Sequence, residues 1–170
     1  MATPTSLPAA FTDNTTLPAA TLNNLRGAFR VLQVVTASAG TGATNNTNTF
    51  SDTGLTATIT PQSNTSKILI IGSHNGLQKT AANAGNGVIT GLLRGATILT
   101  YPSTGAGYTG TALLNTVSDS FFYLDSPAST SALTYKTQFA NIINNAGVLV
   151  QASNGAGFAT SYITLMEISA

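Results

Sequence analysis

Short runs of β-branched and aromatic residues, separated by stretches rich in Gly, Asn, Ser and Pro, follow one another from Val31 to the end of the chain. Such runs favour strands because their side chains pack well on a pleated surface, and the residues between them adopt turns easily. The predicted strands are 31–36, 55–60, 67–73, 88–93, 97–101, 120–124, 134–140, 148–151 and 162–168. This spacing is typical of an antiparallel β-sandwich, so the predicted fold class is all-β, with jelly-roll-like connections.

The faces of three predicted strands differ in a way that bears on assembly. LTATIT alternates, which places Leu55, Ala57 and Ile59 on one buried face and leaves the other face in water. KILIIG at 67–72 and SFFYL at 120–124 are apolar on both faces. A strand of that kind lies centrally in its sheet or under a neighbouring subunit. Both positions stay open for KILIIG, whereas the second face of SFFYL would expose aromatic rings, which a subunit interface would cover.

The first 30 residues differ in character: they are rich in Pro, Thr and Ala and contain LPAA twice, ten residues apart. A short helix is predicted from about Pro18 to Arg26, with a proline in its first turn and a glycine as its C-terminal stop. So short a helix is not stable alone in water. Residues 1–16 are predicted to be extended, and a disordered tail is the alternative. The chain is accordingly divided into an N-terminal arm, 1–30, and a β-sandwich domain, 31–170.

The composition argues against several classes of function. Only 6% of the residues are charged, against about 25% in ordinary soluble domains. The 6 Lys and Arg residues are scattered, whereas neutralising several phosphates requires a basic cluster, so nucleic acid is not an expected partner. No apolar run reaches the length of a membrane span and no secretory leader is recognised, so a membrane is not expected either. With 0 Cys, neither a disulfide nor a thiolate metal site can form.

No motif predicts an enzyme. GAGYTG at 105–110 matches G-x-G-x-x-G, but a dinucleotide site needs those glycines between a parallel strand and a helix, and neither is predicted there. His74, the sole histidine, has no evident nucleophile or acid beside it and is interpreted as a loop or interface residue, with a metal on a symmetry axis as the alternative. Asp125 is predicted to accept turn hydrogen bonds, and Glu167 to face solvent or an Arg. We predict no catalytic residue, no cofactor and no metal.

Five stretches carry a resemblance when they are taken together: LNNLRGAFRVLQVV at 22–35, LTATITPQSNTSKILII at 55–71, GLLRGATIL at 91–99, YLDSPASTSALTYKTQF at 123–139 and SYITLMEISA at 161–170. In this combination the chain resembles a family of small virion proteins of tailed phages, frequent in phages of cyanobacteria and other aquatic bacteria. The resemblance covers the sequence from about residue 17 onward. It implies a non-enzymatic β-sandwich, usually trimeric, displayed on the particle as a decoration protein or as the terminal module of a fibre.

The choice between head and tail depends on the residues. Fibre tips normally follow a long shaft of repeats, and this sequence contains none, which favours a trimeric capsid decoration or cement protein located on the virion. In that interpretation the arm binds the major capsid protein or another virion protein. The anchoring residues are then Leu7, Phe11, Leu17, Leu22, Leu25, Arg26 and Arg30, and the trimer contacts are Phe121, Phe122, Tyr123 and Ile70. A tail-fibre or receptor-binding module is the alternative. A carbohydrate-binding domain is the third interpretation, in which a host glycan meets the loop aromatics Tyr108 and Phe158.

Overall fold

The computed structural model describes residues 30–80, 83–111, 115–143, 146–153, 155 and 157–169. Within these residues the chain forms ten strands and no helix. The strands are β1 Val31–Ala39, β2 Ala43–Asn45, β3 Ser51–Ile59, β4 Lys67–Lys79, β5 Val88–Arg94, β6 Thr97–Ala106, β7 Thr116–Asp125, β8 Leu133–Asn141, β9 Val148–Val150 and β10 Ser161–Ile168. The described part of the chain therefore has no helix that could cross a membrane. The helix predicted in the arm, at 18–26, lies outside the described residues.

All nine predicted strands overlap strands of the structure, and the all-β prediction is confirmed. β2 was not predicted, because its three residues, ATN, lie in a turn-rich stretch without a β-branched run. It forms because it pairs with β9, which is distant in sequence. A tight hairpin at RGAT, residues 94–97, joins β5 to β6, with Gly95 at a φ of 58°.

The strands form two antiparallel sheets that pack face to face across a shared core. Leaving aside the three-residue strands β2 and β9, the first sheet has the order β1-β10-β4-β7 and the second sheet the order β3-β8-β5-β6. Apart from β5 and β6, which form a hairpin in the second sheet, consecutive strands of these eight lie in opposite sheets, so the chain forms an antiparallel β-sandwich. β4 lies at the centre of the first sheet and pairs with β10 along one side and with β7 along the other. Beyond the end of β10, β9 pairs with β4 on the same side as β10, at Gln78 and Lys79.

The core lies between the sheets and is built by alternate residues of each strand. In β3, Leu55, Ala57 and Ile59 are buried while the residues between them are exposed, as the alternation predicts. These three side chains meet apolar residues of the first sheet in the main core cluster. A second, smaller cluster around Leu77 and Phe139 fills the end of the sandwich near β9.

The burial of side chains on β4 and β7 corrects the subunit contacts predicted for these two strands. Ile70 is 0% exposed and Phe121 is 7% exposed, and both fill the core of their own chain. Tyr123 is partly buried against the same cluster. Because side chains alternate along a strand, their neighbours point the other way: Ile71 is 43% exposed and Phe122 is 80% exposed. Of the four residues assigned to an interface, Phe122 is the one that points outward.

Candidate functional site on the outer face of the first sheet

The side of the first sheet that faces away from the core is open to a partner. We call it the outer apolar face, and it comprises Val34, Leu69, Ile71, Phe122, Leu124, Tyr162 and Met166. These residues lie at alternate positions of β1, β10, β4 and β7, opposite in phase to the core residues of the same strands. Five of the seven are exposed large apolar side chains, so the face is apolar surface in contact with water.

Two rows of cross-strand neighbours join most of the outer apolar face, whereas Tyr162 pairs with the polar residues Ser38 and Ser73. In one row Met166 pairs with Leu69, which pairs in turn with Leu124. In the next row Ile71 pairs with Phe122. Directly opposed residues of antiparallel strands have Cβ atoms about 4.5–5.5 Å apart, so the side chains within a row touch. A hollow of about 540 Å³ opens beside Phe122 and is lined by Leu69, Ile71, Ser120, Phe121 and Phe122.

Charge is absent from the seven residues of the outer apolar face. Two ion pairs, Arg94 with Asp125 and Lys136 with Asp52, involve other strand positions. Lys67 lies at the rim, where β4 begins. A contiguous exposed apolar patch is uncommon on a monomer and marks a surface for association. The outer apolar face is therefore the candidate interaction surface of the sandwich.

The arm joins the sandwich at the edge of this same sheet. Arg30 directly precedes β1; its N–H donates to Ser169 Oγ over 3.0 Å, and the Ser169 N–H donates to the Arg30 carbonyl over 2.9 Å. The chain thus enters β1 beside the end of β10, where Val31 pairs with Ile168. Arg30, assigned to anchoring, is described and exposed. The other anchoring residues lie outside the described residues: Leu7, Phe11, Leu17, Leu22, Leu25 and Arg26.

His74, predicted in a loop or at an interface, lies instead inside the sandwich. It is fully buried on β4, its Nδ1 is 2.8 Å from Oδ1 of Asp119, and its ring stacks on Phe121 with centroids 4.8 Å apart. Thr90, from the second sheet, donates to the other Asp119 oxygen over 3.3 Å. A ring enclosed in its own chain is not placed to hold a metal on a symmetry axis. His74 has the same phase along β4 as Ile70, and this phase is the signal that indicates burial.

Glu167, predicted to face solvent or an Arg, is buried near the end of β10. One carboxylate oxygen accepts from Nε2 of Gln33 over 2.6 Å, and the other accepts from the backbone N–H of Gln62 over 2.7 Å. Burial by itself raises the pKa of this carboxyl, but the side-chain amide of Gln33, the hydroxyl of Ser66 and the backbone of the β3–β4 loop together outweigh burial and leave the pKa below its usual value. Glu167 therefore fastens β1 and the β3–β4 loop to β10.

Asp125 accepts the turn hydrogen bond predicted for it, from the N–H of Ser126 over 2.9 Å. Its second oxygen accepts from Arg94 over 2.6 Å and from the hydroxyl of Tyr135 over 2.7 Å. Burial and the neighbouring carboxylate both raise the pKa of Tyr135, so its hydroxyl keeps its proton and donates it to Asp125. The three side chains join β7 of the first sheet to β5 and β8 of the second, which is a structural role.

The remaining sites considered in the sequence, namely a metal site, the GAGYTG motif and the loop aromatics, can be examined in the part of the chain that the structure describes. No three His, Cys, Asp or Glu side chains in that part lie together in a way that could hold a metal ion. GAGYTG begins at the end of β6, which pairs antiparallel with β5 rather than in a parallel sheet. The loop aromatics Tyr108 and Phe158 are 56% and 54% exposed. The described surface thus offers a partner an uncharged apolar face and exposed aromatic rings.

No family model matches this sequence, and no curated protein matches it. The solved structures that this chain partly resembles in shape include the following two. One is the VP2 subviral particle of infectious bursal disease virus, at 10% identity and a TM-score of 0.40, over 81% of this chain and 39% of that chain. The other is dimeric latent PorU from Porphyromonas gingivalis, at 9% identity and a TM-score of 0.41, over 84% of this chain and 13% of that chain. This chain spans less than half the length of either, and a likeness at these scores carries no functional conclusion.

Proposed function

We propose that this chain is a non-enzymatic structural protein of a virion: a homotrimeric capsid decoration, or cement, protein of a tailed phage, anchored to the shell by its arm, residues 1–30. The observation that carries the proposal is the outer apolar face, which is largely continuous, uncharged and located on the sheet whose edge the arm joins. The face meets further copies of the chain. The arm meets the major capsid protein or another virion protein.

The fold and the buried polar groups are compatible with that role. Jelly rolls form many viral capsid and lectin domains, although a fold alone does not specify a function. His74, Asp125 and Glu167 are each engaged within the sandwich, where they hold strands together. Groups enclosed in this way cannot touch a substrate, which supports a structural rather than a catalytic protein.

Copies of the chain gain free energy when they cover Phe122. A fully buried Phe side chain contributes about 1.5–3 kcal/mol relative to an exposed one. Phe122 is 80% exposed in the single chain, so most of that gain is still available to an assembly. In a closed ring of three copies the same contact forms three times, and no copy is left with an open patch. The outer apolar face thus supports trimer formation.

The arm benefits from the trimer because one arm alone binds weakly. Fixing each arm residue on the shell costs about 1–2 kcal/mol in backbone entropy, which offsets much of what its apolar side chains gain. Three arms on one trimer bind together, because the first to bind holds the other two close to their sites. Release then requires all three to detach, so the trimer remains on the shell.

Neither nucleic acid nor a membrane is an expected partner. Arg94 is paired with Asp125 and Lys136 with Asp52. Lys79 is buried, and its ammonium donates hydrogen bonds to oxygen atoms of its own chain. Half of the 6 basic side chains are therefore already engaged, which leaves little basic charge to neutralise phosphates.

A shortened chain that lacks residues 1–29 tests the proposal and keeps Arg30, which is tied to Ser169. We expect light scattering to show a folded trimer for both the full and the shortened chain. The full chain should bind phage heads that were assembled without it and should saturate them at a fixed number of copies. The shortened chain should not bind. Equal decoration by the shortened chain contradicts the anchoring arm, and a monomeric full chain contradicts the trimer.

The second candidate, a receptor-binding module of the tail, is favoured by the exposed ring of Phe158 beside a groove lined by both polar and apolar residues. In that case the purified protein should adhere to host cells and reduce infection when it is added before the phage. The decoration protein should do neither. In the third candidate, a carbohydrate-binding domain, the same ring of Phe158 would contact the sugar.

A further inference from the structure

A groove opens on the outside of the first sheet, next to the polar end of β7. Its volume is about 640 Å³, within the range of roughly 300–1,000 Å³ typical of small-molecule sites. The outward positions of β7 change character along the strand: Thr116 and Ser118 line the groove, whereas Phe122 and Leu124 belong to the outer apolar face. The two surfaces are therefore neighbours on one strand but do not share residues.

The loop that follows β9 forms one wall of the groove and is held against β4 by its backbone. The N–H groups of Gln151 and Ala152 donate to the carbonyl oxygens of Asn75 and Gly76, each over 3.0 Å. Gly76 has a φ of 69°, and a Cβ on it would collide with the backbone nitrogen of Ala152. Glycine at this position allows the loop to lie directly on the strand. The wall is thus a built feature of the sandwich.

Phe158 is presented at the rim of the groove as an aromatic platform. A backbone bridge joins it to Ser153, and the N–H of Ala159 donates to the carbonyl of Ala152 over 3.0 Å, which closes the loop at its base. The ring lies against Gly42, where a Cβ would approach its Cε1 to 2.9 Å. More than half of the side chain is nevertheless exposed. An aromatic ring that is supported on one side and open to water can stack on the apolar C–H face of a sugar.

Five polar side chains line the groove together with this ring, and the three that matter here are Gln78, Thr116 and Ser118, the other two being Asn75 and Ser153. Gln78 pairs in register with Thr116 across β4 and β7, and Ser118 follows on the same face of β7. None of the three side chains makes a hydrogen bond to another described residue. One amide and two hydroxyls offer donors and acceptors together, as the adjacent hydroxyl groups of a sugar require. The described lining residues carry no charge, so a neutral ligand fits and an ionic one would lack a partner.

We propose that this groove binds neutral sugar residues of a polysaccharide. Phe158 stacks on a sugar ring, while Gln78, Thr116 and Ser118 hydrogen-bond to its hydroxyl groups. The site depends on the groove alone and not on whether the protein decorates the head or the tail. In a trimer, three such grooves would hold a repeating polymer more tightly than one, because successive repeats engage several grooves. A neutral peptide is the competing ligand class.

The test uses the full chain and three neutral hexasaccharides, built from glucose, galactose or mannose, with binding measured by saturation-transfer-difference NMR. We expect at least one hexasaccharide to bind and Phe158→Ala to weaken that binding by roughly tenfold or more. Tyr101→Ala is the matched control, because Tyr101 is 47% exposed but lies on β6 of the second sheet and does not line the groove. This control should bind as the parent does.

A second variant, Ser118→Arg, keeps the aromatic ring and fills the groove with a long side chain at an exposed strand position. Its control is Thr104→Arg, at an exposed position of β6 in the second sheet. We expect Ser118→Arg to abolish binding and Thr104→Arg to leave it unchanged. The proposal is overturned if no hexasaccharide binds, or if Phe158→Ala and Ser118→Arg both bind like the parent. It is also overturned if a neutral octapeptide of Gly, Ser and Phe binds as tightly and with the same dependence on Phe158.

Discussion

The variant Phe122→Ser tests the outer apolar face without changing the core, because Phe122 is 80% exposed in the single chain and its loss leaves the interior intact. A fully buried Phe side chain contributes about 1.5–3 kcal/mol, so covering the exposed part of Phe122 contributes about 2 kcal/mol per copy. Three copies together lose about 6 kcal/mol in the variant. Since 1.4 kcal/mol corresponds to a factor of ten, the dissociation constant of the trimer should rise by about four orders of magnitude.

Sedimentation equilibrium over a wide range of protein concentrations measures this change. The parent should remain trimeric at concentrations where Phe122→Ser is monomeric, and the two should unfold at similar temperatures once both are monomeric. Tyr101→Ser is the control, because Tyr101 is an exposed aromatic residue on β6 of the opposite sheet. If Phe122→Ser associates as tightly as the parent, or if both variants dissociate equally, the reasoning is refuted.

Three further predictions concern stability. At protein concentrations low enough for the chain to be monomeric, Ile70→Ala should cost about 2–5 kcal/mol of unfolding free energy and the exposed Ile71→Ala less than about 1 kcal/mol. Equal losses on denaturant unfolding would contradict the alternation of buried and exposed positions along β4. The lowered pKa of Glu167 makes its stabilisation complete above pH 4.5, the usual pKa, and lost as the pH falls below it. The unfolding free energy of Glu167→Gln should therefore fall less steeply than that of the parent below pH 4.5, and parallel curves would count against this account. Tyr135→Phe removes a donor to Asp125 and should cost about 1–3 kcal/mol, seen as a lower melting temperature; an unchanged melting temperature would show that the bond does not matter.

Strand positions could be predicted because they depend on local sequence. Runs such as KILII and YITLM contain β-branched and aromatic residues over the length of a strand, and turn residues bound them. β2 was not predicted because its three residues carry no such signal. Its pairing with β9 also joins segments about a hundred residues apart in sequence. Local patterns therefore indicate where strands lie and only weakly where short ones pair.

Which face of a two-sided apolar strand points inward could not be read from residue type. Ile70 and Ile71 are identical in chemistry, and the assigned contacts named the one that fills the core. Glu167 was predicted to face solvent or an Arg because charged residues are usually exposed or paired, and the buried position beside Gln33 was missed because Gln33 lies 134 positions away in sequence. The groove likewise unites distant segments, since β4, β7 and the loop that carries Phe158 meet only in the fold.

The central claim is that the outer apolar face joins copies of the chain while the arm holds the shell, and electron cryo-microscopy of heads saturated with the full chain tests it most directly. The account predicts trimeric density on the capsid, with Phe122 of each copy covered by its neighbour and residues 1–29 lying along the capsid surface. Single copies with Phe122 open to solvent, or protein found on the tail and absent from the head, would contradict it.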